Sequence, residues 1–277
     1  MYHILILGAG YTGKAIAAEF VKRKQKVFAA VRTPESAEAV AETGAQPFVC
    51  DISDPSSLEN LPPAHFVVIS AAPERREDSD YEAVYLKGIG NFLKSRASKP
   101  RPSLIIYLSS TGVWEDGFEG WLDETVIPNP KTKRGKILLE AERQVLDSGF
   151  PSLIFRLAGI YGSGRNRVEA LRSGNCPAGR TIQYLNMIHR DDIAGAMPYL
   201  FNQGKAGEVY LGCDDEPVLS RDFYGWLSKE LGIVCPEDLL KPVSVPGKRY
   251  RNQKLKSLGF SFRYPNFREG YREILGG

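Results

Sequence analysis

The chain has 277 residues, 43% of them hydrophobic and 25% charged, with a formal net charge of +3. That length and apolar content suit one sizeable α/β domain with a smaller appendage and exclude a disordered chain; the small, dispersed charge favours neither nucleic acid nor a membrane surface as partner. No run approaches the ~20 apolar residues of a spanning helix, Cys50, Cys176, Cys213 and Cys235 make no CxxC pair, and His3, His65 and His189 show no metal spacing, so no metal is expected.

The first residues read as a strand with neither a basic lead nor a cleavage site, so the expected compartment is the cytoplasm. That strand, His3-Ile4-Leu5-Ile6-Leu7, passes straight into Gly8-Ala9-Gly10-Tyr11-Thr12-Gly13 and then into helical periodicity. In such a unit Gly8 allows the turn, Gly10 lets a pyrophosphate approach the backbone, and Gly13 lets helix pack closely on strand. Tyr11 and Thr12 open the helix whose free N–H groups face the phosphates. The expected ligand is a dinucleotide.

Residues 26–32 read as a second strand. Where a site for NAD would place an acidic residue against the ribose hydroxyls, this chain has Val31, Arg32 and Thr33. A guanidinium holds a 2′-phosphate through two charge-assisted bonds, so NADP is expected in preference to NAD. A third strand ends at Cys50 and Asp51, the carboxylate being placed to accept from the adenine amino group. A fourth, Phe66-Val67-Val68-Ile69, exits through Ser70, Ala71 and Ala72, small residues that suit a backbone lying against the cofactor. A helix over 81–96 follows. The fifth strand, Leu104-Ile105-Ile106-Tyr107-Leu108, is apolar throughout, as when helices cover both faces, and ends in Ser109-Ser110-Thr111-Gly112-Val113-Trp114. Alternating strands and helices imply an α/β fold with a doubly wound parallel sheet, whose ligands sit beyond the strand carboxyl ends.

With these segments the chain resembles the extended short-chain dehydrogenase/reductase superfamily, in its NAD(P)-dependent epimerase/dehydratase group, over nearly its whole length. Residues 109–114 are similar to that family's SSxxVY segment with Trp in place of Tyr; Asp123-Glu124-Thr125 and Pro128 follow. Lys136-Ile137-Leu138-Leu139-Glu140 resembles its K-x-x-x-E helix, residues 155–162 its sixth strand and exit, and Ile188-His189-Arg190-Asp191-Asp192-Ile193-Ala194 its H-x-D-D-hydrophobic-A segment. The resemblance implies a Rossmann domain over residues 1–162, completed by about 190–212, and a small substrate-binding lobe from 163–189 and 213–277. It implies an NADP-dependent oxidoreductase, epimerase or dehydratase, monomeric or homodimeric, acting on a small polar or nucleotide-linked carbonyl or alcohol.

The family's chemistry uses a Ser or Thr to orient substrate, a Tyr to exchange a proton, and a Lys that lowers the tyrosine pKa and binds the ribose. On this match Ser110 takes the first position and Lys136 the last, which puts Thr132 where the tyrosine belongs. An aliphatic hydroxyl is a far weaker acid than a phenol. Tyr81, Tyr85, Tyr107 and Tyr161 are the alternative sources of a phenol, and the second reading is an NADP(H)-binding sensor or scaffold without chemistry. The pattern of a dehydratase, with Asp and Glu after the catalytic Thr, is absent because Gly112 follows Thr111. The one Y-x-x-x-K match, Tyr250 to Lys254, lies in a segment resembling the carboxyl-terminal lobe.

Beyond Gly162 the chain turns loop-rich and basic. The resemblance implies a lobe over the nicotinamide, with Arg165, Arg167 and Thr111 as its substrate-binding residues; Arg172 and Arg180 read as solvated. Residues 190–201 read as a helix with Asp191 and Asp192 in its first turn and His189 as a capping or packing residue. Ser220 is expected to cap a helix over 221–231, and 267–275 reads as a short amphipathic helix. Lys248, Arg249, Arg251, Lys254 and Lys256 enclose only Tyr250, so they read as a solvated face or part of an anionic-substrate site, without nucleic acid as partner.

Overall fold

Seven strands, largely apolar and buried except at the edge strand β3, pair side by side in parallel: β1 (His3–Leu7), β2 (Lys26–Val31), β3 (Gln46–Val49), β4 (Phe66–Ile69), β5 (Leu104–Ser110), β6 (Ser152–Leu157) and β7 (Val209–Gly212). The computed structural model describes residues 1–59, 61–75, 77–96, 101–114, 118–174, 184–240 and 247–276. The sheet order is β7-β6-β5-β4-β1-β2-β3. The chain therefore builds outward from β1 to β3 and returns to β4 on the other side of β1. The reversal opens a crevice beyond the carboxyl ends of β1 and β4, the place where such sheets bind ligands. Leu7 stands opposite both Ala30 and Ile69, so the three strands end level.

Successive side chains of each strand point to opposite faces, and each face has its own core. On one, Ile4 and Ile6 pack with Ile16, Ala17 and Phe20 of α1 (Tyr11–Lys22) and with Ile193, Met197 and Leu200 of α5 (Arg190–Gln203). On the other, Leu5 and Leu7 pack with Ile89 and Phe92 of α3 (residues 78–96) and with Ala141 and Val145 of α4 (Lys133–Leu146). α2 (Pro34–Ala41) follows β2. The helix expected over 81–96 starts three residues earlier and runs as an α turn (Asp78–Tyr81), a π-helical stretch (Glu82–Gly88) and an α-helix (Ile89–Arg96). Among the described residues no helix is long and apolar enough to cross a membrane.

A third cluster, including Val168, Leu171, Val218, Phe223, Leu227, Phe267 and Tyr271, forms the core of a small lobe. It lies beside the parallel pair Gly159–Tyr161 and Met187–His189 and the antiparallel pair Tyr184–Leu185 and Val218–Leu219. Leu255, Leu258 and Phe260, within 213–277, belong to the core on the α5 side of the sheet. Ser220 does not cap its helix: it is the first helical residue, Leu219 stands at the cap, and no side chain bonds there. The basic run is also absorbed, Lys254 bonding Glu208 at 2.6 Å, Lys256 bonding Asp215 at 3.0 Å, and Arg249 and Arg251 lying over the Trp121 ring. Cys176 and Arg180 lie outside the described residues.

One ion pair is buried between α4 and the sheet. Arg156 of β6 donates to Glu142 through Nε (3.0 Å) and Nη2 (2.7 Å), with their side chains 5% and 3% exposed. Ser109 Oγ donates to the same carboxylate at 2.6 Å, and the Trp114 ring lies 4.8 Å from the guanidinium. Removing one member leaves a buried charge unpaired, a loss of about 3–5 kcal/mol, whereas replacing both by apolar groups of similar volume is often neutral. Glu142→Ala is expected to lower unfolding free energy by that amount in urea titrations. Glu142→Leu combined with Arg156→Met should recover most of it.

Candidate functional site

Gly8 adopts φ +91°, and its N–H and that of Ala9 both donate to the Ala30 carbonyl of β2, at 3.1 and 2.8 Å. A Cβ on Gly8 would lie 2.3 Å from Ala71 Cα, and one on Gly13 would lie 2.5 Å from the Gly8 carbonyl oxygen, whereas one on Gly10 would meet nothing within 4 Å. Packing requires the first and last glycines. The middle one borders open space. α1 starts immediately after it with no side-chain cap and no acidic residue in its first turn, so the N–H groups at Tyr11, Thr12 and Gly13 stay available to an anion. Ser70 and Ala71, expected against the cofactor, brace this turn: Ser70 Oγ donates to the Gly8 carbonyl at 2.9 Å, and Ala71 is the residue Gly8 abuts.

Along the same rim Arg32 is paired with Glu74, both side chains open to solvent at 41% and 75% exposure. Thr33 caps α2 by accepting from Ser36 N–H. Asp51 accepts through Oδ1 from the backbone N–H and the hydroxyl of Ser53.

The small lobe reaches the glycine turn through Tyr11, whose hydroxyl donates to the Ser163 carbonyl at 3.0 Å. The Arg190 and Arg165 guanidiniums lie 4.8 and 5.7 Å from its ring. A Cβ on Gly162 would lie 2.7 Å from the Tyr11 hydroxyl and 3.2 Å from His189 Nε2. Of the two arginines expected at the substrate, Arg165 stays exposed near the rim. Arg167 does not: its guanidinium donates to the Tyr224 hydroxyl at 2.7 Å and lies over the Phe223 and Tyr224 rings inside the lobe. His189 is the expected cap, Nδ1 accepting from Asp191 N–H at 3.2 Å. Its buried Nε2 has no hydrogen-bond partner among the described residues and sits 3.8 Å from the Glu273 carboxylate. Burial pushes the imidazole pKa below its usual value, against the pull of Asp191 and Glu273.

At the end of β5, Ser110 Oγ accepts from Gly112 N–H at 3.1 Å, and Thr111 opens the short turn Thr111–Val113. Lys136 does not join them, whereas the Thr132 hydroxyl and the Gly112 carbonyl oxygen both lie 3.0 Å from a Cβ built on Gly135. Thr132 caps α4, its hydroxyl accepting from Gly135 N–H at 3.1 Å. The α4 face turned toward β5 carries Gly135, whose Cβ would meet the Gly112 carbonyl at 3.0 Å; Leu138, whose Cδ1 lies 3.5 Å from a Cβ built on Gly112; and Glu142. Lys136 lies two residues, about 200° around the helix, from Leu138. It is exposed in an outer groove with Pro128, Lys133, Glu140 and Arg143. The spacing Tyr-x-x-x-Lys-x-x-x-Glu, moved on by two residues, falls on Arg134, Leu138 and Glu142, the row that faces the site. The signal missed was Arg156, a lone cation in an apolar strand that required a buried acid.

Arg134 bonds Asp78 through Nε at 3.0 Å, and its guanidinium lies 5.5 Å from the Tyr81 ring. Tyr81 and Tyr85 pack with Val113, Trp114 and Leu138. Of the four tyrosines, Tyr107 and Tyr161 have buried hydroxyls without partners among the described residues, and Tyr161 stacks on Tyr271 in the lobe. Burial pushes the pKa values of Tyr85, Tyr107 and Tyr161 upward. Tyr81 and Tyr85 are both half-buried beside the row, and Tyr81 is the one whose ring Arg134 covers. Tyr250 is buried against Trp114, while Lys254 bonds the Val209 carbonyl at the amino end of β7, away from the rim.

A family model described as NAD(P)H-binding matches residues 8–203. Protein YeeZ of Escherichia coli (strain K12) is 29% identical over 280 residues, covering 96% of this chain and 97% of that one. A 4-hydroxy-2-methyl-3-oxo-4-farnesyl-3,4-dihydroquinoline-1-oxide ketoreductase of Stigmatella aurantiaca is 26% identical over 241 residues, covering 82% and 72%. Among solved structures, a protein provisionally assigned as an NAD-dependent epimerase/dehydratase from Methylobacillus flagellatus superposes with a TM-score of 0.81 at 28% identity, covering 99% and 98%. A UDP-glucose 4-epimerase of Thermus thermophilus, solved with NAD, shares the fold with a TM-score of 0.81 at 18% identity, covering 99% of each chain.

The buried cap has a pH signature. Because the folded-state pKa of His189 is depressed, its stabilising contribution is complete above the unfolded value of about 6.5 and is lost as pH falls through the folded value. Asn caps helices without titrating. The fall in urea midpoint between pH 7.5 and 5.5 should therefore be smaller in His189→Asn than in the wild type.

Proposed function

The chain belongs to the NAD(P)H-binding family, and from that premise we propose that it is an NADP-dependent oxidoreductase of the epimerase/dehydratase type, acting on a small polar carbonyl or alcohol. The observation that carries this reading is the open space at Gly10, bordered by the uncapped start of α1 between two glycines fixed by packing. Gly10 and the first N–H groups of α1 receive the pyrophosphate. Arg32 binds the 2′-phosphate and Asp51 the adenine amino group. The exposed Arg32–Glu74 pair is worth about 0–1 kcal/mol, less than the roughly 1.5–3 kcal/mol of a charge-assisted bond, so exchange of Glu74 for a phosphate is favourable.

A nicotinamide held in this crevice would supply or accept a hydride. The protein's part is to hold the substrate oxygen and move its proton. Ser110 accepts from Gly112 N–H, which leaves its own hydroxyl hydrogen free to donate to a carbonyl oxygen. Tyr81, beside Arg134, exchanges the proton on that oxygen. The lobe formed by residues 163–189 and most of 213–277 closes over the domain of 1–162 and 190–212, with Arg165 nearest the rim. A cytoplasmic monomer or homodimer accords with this reading.

One observation favours a second reading, a non-catalytic NADP(H) sensor: Arg134 and Leu138 occupy the positions that the family spacing gives to Tyr and Lys. Reduction of a ketone by NADPH that is lost in Tyr81→Phe supports the enzyme; cofactor binding without turnover of any carbonyl supports the sensor.

Calorimetric titration with NADPH and NADH tests the common premise. NADPH is expected to bind more tightly, Arg32→Ala to weaken it at least tenfold, about 1.4 kcal/mol, and Glu74→Gln to strengthen it, with NADH little affected by either. Gly10→Ala should keep the wild-type melting temperature yet lose both nucleotides. If neither nucleotide binds the wild type, both readings fall.

A further inference from the structure

We propose that the substrate carries an oxyanion, a carboxylate or phosphate, near its carbonyl, and that Arg134 is the residue that binds it. The inference rests on the dinucleotide reading above and names the substrate class for that crevice.

Position is the first ground. Arg134 opens the row on α4 that continues through Leu138 to Glu142. Gly135, its neighbour, abuts the turn after Ser110, where a Cβ on Gly135 would lie 3.0 Å from the Gly112 carbonyl. Arg134 therefore stands one residue from the point where α4 meets the turn that follows Ser110. Leu138, next in the row, presents an apolar wall.

Orientation is the second. Most exposed arginines sample many rotamers, but this guanidinium is fixed by two contacts, Nε on Asp78 Oδ1 at 3.0 Å and its plane over the Tyr81 ring at 5.5 Å. Neither Nη group has a hydrogen-bond partner among the described residues. A rigid fork with two free amino groups is the geometry that receives the edge of a carboxylate or phosphate. The other carboxylates of α3 have their own cations: Asp80 is bound by Arg75 at 3.0 Å and Glu82 by Lys133 at 2.9 Å. Asp78 takes only Nε, so it orients Arg134 without occupying either amino group.

Local electrostatics is the third. The first turn of α4 holds Lys133 and Arg134 and no acidic residue. Cations at this end of a helix oppose its dipole and cost helix stability, and the helix-capping Thr132 does nothing to neutralise them. Glu82 and Asp78 offset these two cations from α3, and an anion received by the free Nη groups of Arg134 adds to that compensation.

The test uses the full chain saturated with NADP+, titrated calorimetrically with glyoxylate, dihydroxyacetone phosphate and uncharged dihydroxyacetone. At least one anionic probe should bind ten or more times more tightly than dihydroxyacetone, and which one does so distinguishes carboxylate from phosphate. Arg134→Gln should abolish that preference while leaving NADP+ affinity unchanged, which also reports that the variant is folded; Asp78→Asn should strengthen anion binding. Equal binding of all three probes, no binding of the anions, or a preference that survives Arg134→Gln overturns the proposal and leaves the cofactor reading standing. Failure of NADP+ itself to bind the wild type overturns both.

Discussion

The carboxylate of Glu142, buried against Arg156 and accepting from Ser109, fixes the rotation of α4. A buried ion must keep its partners, so the helix cannot turn without breaking three charge-assisted bonds. With that rotation set, Gly135 meets the turn after β5, Leu138 faces the end of the strand, Arg134 stands over Tyr81, and Lys136 faces outward. The chemistry available at the rim therefore depends on an interaction one helical turn beneath it.

The opposite side of the crevice is built by close approach instead of charge. Gly8 abuts Ala71, Gly13 abuts the Gly8 carbonyl, and Ser70 ties that carbonyl from the neighbouring strand. Side chains at Gly8 or Gly13 would push β1, β4 and α1 apart, and the level ends of the strands would be lost. Tyr11 then extends this rigid turn into the small lobe, through Ser163 and the two arginines at its ring. Directly beneath, His189 caps α5 and packs its ring 5.1 Å from that of Tyr161 and 4.0 Å from that of Tyr264. Lobe and phosphate turn are thus one packed unit.

Between these two sides the polar groups divide by burial. Arg32, Arg134 and Arg165 remain exposed at the rim, the last two each beside a single tyrosine ring, where an arriving anion would compete with water and weak ion pairs. Arg156 and Arg167 are drawn inward by aromatic rings and fixed acceptors and hold the fold together. The same residue type serves two purposes, and exposure separates them.

Local pattern determined much of this protein. Alternating apolar strands and amphipathic helices dictated the parallel sheet, and the glycines after β1 dictated a tight turn at a helix start, because both depend on periodicity and on backbone freedom within a few residues. His189 as a cap was legible for the same reason. Whether 136 or 138 faced the site was not. Two glutamates two residues apart, Glu140 and Glu142, offered two registers, and only the distant Arg156 chose between them. Arg167 and Arg165 likewise look alike in sequence and part company once Tyr224 lies beside one of them. Tertiary structure decided helix rotation and the fate of each arginine, because burial and ion pairing join residues far apart in the chain and outweigh the small local preferences that sequence pattern reports.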